Sequence, residues 1–86
     1  MIYGSDIFPI GKTIMISTAA EFGHRIARAR RALGLTQRDL ALAIGTGERF
    51  VVNLEAGKAT AQLGKALAAA KAVGIQLVDA SGGSSR

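Results

Sequence analysis

Glycine interrupts the helical pattern of this chain at Gly34, Gly45, Gly57 and Gly74. That spacing calls for short helices joined by tight turns. Ahead of the first stop, Thr18-Ala19-Ala20-Glu21 has the form of a capping box, in which the threonine oxygen takes an orphan N–H and Glu21 reaches back. Phe22, Ile26, Ala29 and Leu33 follow at helical spacing and predict one apolar face. Thr36 caps a second helix, with Asp39 three residues on and Leu40 and Ile44 pointing inward. A third helix runs from about Gly47 to Glu55, with Val51 and Leu54 inside and Phe50 beside them. Thr60 is the expected cap of a fourth, which carries Leu63, Leu67 and Ala70 inward. Ile75-Gln76-Leu77-Val78 reads as a short strand, β-branched at both ends. Thr13-Ile14-Met15-Ile16 is also β-prone. The fold class is therefore all-α: a four-helix domain over 18–74, an N-terminal arm over 1–17, a strand over 75–79, and a Gly/Ser-rich flexible tail over 80–86.

Composition narrows the chemistry. At 86 residues the chain makes one domain with a modest core, for which help from a second subunit is expected. There is no cysteine, and His24 is the single histidine, so neither a thiolate nor a clustered imidazole metal site can form. No paired carboxylates, nucleophile–base pair or phosphate loop is present, so no enzyme and no cofactor is expected. Eleven Lys and Arg against six Asp and Glu leave a formal net charge of +5, which suits a polyanionic partner. No apolar run is long enough to span a membrane and no secretory pattern opens the chain, so a cytoplasmic protein is expected.

The second and third helices, 36–44 and 47–55, form a helix-turn-helix pattern around Gly45, in which the second helix would lie in the DNA major groove. Opposite Val51 and Leu54, that helix carries Glu48, Arg49, Val52 and Asn53. Arginine can fork onto guanine, asparagine can pair with adenine, and glutamate can accept from a cytosine amino group. Arg49 and Asn53 stand one turn apart on the same face. An ordinary solvated face is the alternative.

The run Leu35-Thr36-Gln37-Arg38-Asp39-Leu40-Ala41, then Gly45, then Leu54-Glu55-Ala56-Gly57-Lys58 resembles the phage-repressor type of helix-turn-helix domain, the XRE or Cro/C1 class. The resemblance covers about 45 residues by this alignment of motifs. It implies base reading by Glu48, Arg49 and Asn53. It implies DNA-backbone contacts from Thr36, Gln37 and Arg38 at the start of the second helix, from Gly47, and from Gly57 and Lys58 in the exit turn. It also implies a partly buried Arg30–Glu55 salt bridge that sets the angle of the reading helix. Two departures stand out: Gly47 replaces the usual Ser or Thr cap, and Ala56 replaces a common asparagine.

Residues 60–65 with the glycine and strand that follow are similar to the HipB-like antitoxin branch. That resemblance implies a homodimer in which Ile75, Gln76, Leu77 and Val78 pair with their copies, a palindromic operator, and a Hip-type serine/threonine kinase toxin as partner. A short strand needs a second edge, which a two-fold interface supplies. A free-standing repressor without a toxin, and a module that sequesters a partner while binding DNA weakly, are the alternatives.

Overall fold

The computed structural model describes residues 15–79. Among these residues four helices follow one another: α1 Ala19–Ala32, α2 Gln37–Ala43, α3 Glu48–Glu55 and α4 Leu63–Ala72. The first two begin at complete capping boxes. The Thr18 hydroxyl accepts from the Glu21 N–H at 3.0 Å, and the Glu21 carboxylate accepts from the Thr18 N–H at 3.2 Å. Thr36 and Asp39 make the same reciprocal pair at 2.9 and 2.8 Å. All four helices end with a glycine at positive φ. At the end of α1 the Leu35 N–H returns to the Arg30 carbonyl and the Gly34 N–H to that of Arg31, the Schellman pattern that satisfies carbonyls a helix end would orphan.

The core is built from Ile26 of α1, Leu40 and Ala41 of α2, Val51 and Leu54 of α3, and Ala66, Ala69, Ala70 and Val73 in and after α4. Packing of α3 against α2 and α1 makes the main body, and α4 leans on α2. Gly23, in the middle of α1, is where α1 and α3 cross. A Cβ there would stand 2.1 Å from the Leu54 carbonyl oxygen and 3.0 Å from the Glu55 carbonyl group. Only a bare Cα lets the two backbones approach this closely.

Three expectations need correction. Leu33 does not join the apolar face of α1: it is the C-cap residue and 56% exposed, because the chain is already turning away. Thr60 does not cap α4, which starts at Leu63 behind Gln62 with no side-chain cap bond. Leu63 and Leu67 are 70% and 43% exposed, and the inner stripe is Ala66, Ala69, Ala70 and Val73. That stripe is the one the helix-ending turn closes on, since the Ile75 N–H bonds the Ala70 carbonyl at 2.9 Å and Ile75 packs on the core. The strand expected over 75–79 is unconfirmed: no strand forms among the described residues. Residues 75–79 carry no regular structure in a single chain, and neither do Met15 and Ile16. A strand exists only as a pairing, and a short segment alone offers no second edge. Thr13, Ile14, the rest of the arm and the 80–86 tail lie outside the described residues. Among the described residues no helix is long and apolar enough to cross a membrane.

Candidate nucleic-acid interface

The third helix is braced through its last residue. Arg30, near the end of α1, donates from Nε to Glu55 Oε2 at 2.7 Å and from Nη2 to Glu55 Oε1 at 2.9 Å, a bidentate fork. Its Nη1 donates to the Leu35 carbonyl at 2.8 Å, tying the α1–α2 turn into the same knot. Gln37, the first residue of α2, donates from Nε2 to Glu55 Oε1 at 3.0 Å. The Arg30 and Glu55 side chains are 9% and 6% exposed. Burial pushes the Glu55 carboxyl up, but hydrogen bonds from Arg30 and Gln37 and the charges of Arg30 and Arg31 outweigh it, leaving the group below its ordinary value of 4.5. The Glu55 hydrogen bond holds the Arg30 guanidinium protonated even more firmly than usual, against the opposing push of burial.

With Val51 and Leu54 buried and Glu55 clamped, the remaining face of α3 points outward. Glu48, Arg49 and Val52 are exposed and Asn53 is half-buried. Gly47 caps α3 without a side-chain bond, and nothing stands within 4 Å of where its Cβ would be. At the start of α2 the Thr36 hydroxyl accepts from the Asp39 N–H, which leaves its O–H to donate, and Arg38 is exposed.

The exit turn is more constrained than its residue types suggest. The Gly57 N–H bonds the Leu54 carbonyl and the Lys58 N–H bonds that of Asn53, both at 3.0 Å. Neither amide is therefore available to a phosphate, and what the turn presents is the exposed Lys58 side chain. Gly57 sits at φ 89°, and a Cβ there would stand 2.9 Å from the Ala20 Cα. The turn and the start of α1 are thus in backbone contact.

The structure brings Arg30, Glu55 and Gln37 together and sets Glu48, Arg49 and Asn53 on one outward face. Ile75–Val78, expected as a dimerisation strand, carry no regular structure. Sequence reasoning missed Gly23, although a glycine inside an otherwise good helix was a signal for close backbone approach. It also missed the tie from Gln37 to Glu55, for which nothing local gives notice. A groove of about 370 Å³, lined by Met15, Ile16, Ala20, Glu21, His24, Arg25 and Arg28, runs along the side of α1 that faces away from the core.

Comparison with known proteins agrees with this architecture. The family model described as helix-turn-helix (HTH_3) matches residues 26–79. The protein y4mF of Sinorhizobium fredii, named an uncharacterized HTH-type transcriptional regulator, is 42% identical over 62 residues, which is 72% of this chain and 82% of that protein. With a match of that span over the elements described above, the chain belongs to the helix-turn-helix family.

Proposed function

We propose that this protein is a sequence-specific DNA-binding transcriptional repressor that inserts α3 into the major groove. One observation carries the reading: α3 is fixed from behind by the Gly23 crossing and the Arg30–Glu55–Gln37 knot, while Glu48, Arg49, Val52 and Asn53 occupy its outward face. A helix held that rigidly, with base-matching side chains one turn apart, suits direct readout. Gln37 and Arg38 on one side and Lys58 on the other would meet phosphates and position the helix. The relative's name as a transcriptional regulator supports the same reading.

The protein acts as a homodimer on a palindromic operator. Leu77 and Val78 are 51% and 80% exposed. They are side chains a second copy would cover while pairing with the strand edge. The similarity of residues 60–78 to HipB-like antitoxins supports autoregulation of a toxin–antitoxin operon and a kinase toxin as partner. A free-standing repressor is the second reading, favoured by the plain regulator name of the relative.

The test is an anisotropy titration of DNA from immediately upstream of the coding sequence against random duplex. Preferential binding to an inverted repeat, with half-sites about 34–36 Å or a multiple apart, is expected. Equal affinity for both would sink the claim of specificity. Arg49→Ala should relax base choice at one position at a cost of about 1–3 kcal/mol, whereas Lys58→Ala should weaken all sequences alike.

A further inference from the structure

The two flanks of α3 are not alike. At about 100° per residue, Glu55 and Phe50 lie about 140° apart, one on each side of the buried Val51–Leu54 stripe. The Glu55 flank faces α1 and α2 and carries Gln37. The Phe50 flank faces α4, where the Lys65 Nζ lies over the Phe50 ring, 5.9 Å from its centroid. Lys65 is half-buried, unlike the exposed Lys58 and Lys71, and an ammonium at that distance from a ring centroid is within reach of a cation–π attraction. It makes no ion pair or hydrogen bond with a described residue.

We infer that Lys65 is a DNA-backbone contact, meeting a phosphate on the opposite wall of the major groove from the one met by the start of α2. The inference rests on the proposed DNA binding by α3. A helix in a groove about 12 Å wide has a sugar-phosphate wall on each side. Gln37 and Arg38 serve one wall. On the other, Lys58 is joined by Lys65, whose ammonium stands over the ring of Phe50 of the reading helix itself. Phe50 thus has two contacts: it packs on the core and lies beneath the Lys65 ammonium.

The experiment is a salt titration of binding for the wild-type protein, Lys65→Met and Lys71→Ala, on the upstream DNA and on random duplex. Methionine keeps an unbranched apolar side chain beside Phe50 and removes the charge. Loss of one phosphate contact lowers the slope of log K against log salt by about 0.9. Lys65→Met should show that reduction on both DNAs with their affinity ratio unchanged, and Lys71→Ala should match the wild type. A wild-type slope for Lys65→Met overturns the inference, and so does an altered affinity ratio with an unaltered slope. A wild-type protein that prefers no sequence overturns the specific-repressor reading alone, since random duplex still reads the Lys65 contact. A wild-type protein that binds neither DNA at low salt overturns both.

Discussion

Gly23 sets two effects against each other. Alanine is the better helix former by about 1 kcal/mol, so in an exposed helix Gly23→Ala would stabilise. Here the new methyl would meet the Leu54 carbonyl oxygen at 2.1 Å, with backbone on the other side of the contact rather than a flexible side chain. Overpacking of this kind costs about 1–3 kcal/mol or more, so the clash wins. Gly23→Ala should lower the urea midpoint, and because the displaced element is α3, it should also weaken DNA binding. Glu55 gives a second expectation at this scale. Its folded pKa lies below its ordinary 4.5, so the unfolded chain takes up the proton first as pH falls. The contribution is complete above the ordinary value and is lost as pH drops through the folded one. Glu55→Gln should therefore give a shallower loss of stability on the acid side of pH 4.5 than the wild type, measured by urea unfolding at a series of pH values.

Individual helices were legible to the degree that their signals were local. Thr18–Glu21 and Thr36–Asp39 span a single turn, and the starts of α1 and α2 follow from those residues alone. α4 has no such signal: Gln62 supplies no cap bond, and a run rich in alanine has apolar stripes in more than one phase. Only the closing turn at Gly74 and Ile75 chooses between them, and its choice leaves Leu63 and Leu67 outside. The outward face of α3 was readable because Val51 and Leu54 define its opposite. Its brace was not, since the partners Arg30 and Gln37 come from other helices. The caps also differ in what they contribute. Thr36→Ala should cost about 1 kcal/mol, while Gly47→Ser should gain only a few tenths of a kcal/mol, the new side chain entering open space. Chemical denaturation of the two variants would show that asymmetry.

For the molecule as a whole, the residues left over by the single chain are as informative as those it buries. Leu77 and Val78 follow an ordered turn yet stay exposed, while Ile75 two residues earlier is packed. Disruption of the proposed dimer should therefore be sought beyond Ile75, so that the core is untouched. Leu77→Asp combined with Val78→Asp should give monomers in sedimentation velocity with an unchanged helical circular dichroism signal; a persistent dimer would place the interface elsewhere. The alanine stripe of α4 has a consequence of another kind. Burial is worth about 0.8 kcal/mol per methylene and about 1.5–3 kcal/mol for a leucine, so three alanines hold a helix about as well as one or two leucines would. α1, α2 and α3 share Ile26, Leu40, Val51 and Leu54, whereas α4 joins them mainly through methyl groups. Native-state amide exchange should therefore find α4 opening on its own, at a free energy below that of global unfolding, while the other three helices open together.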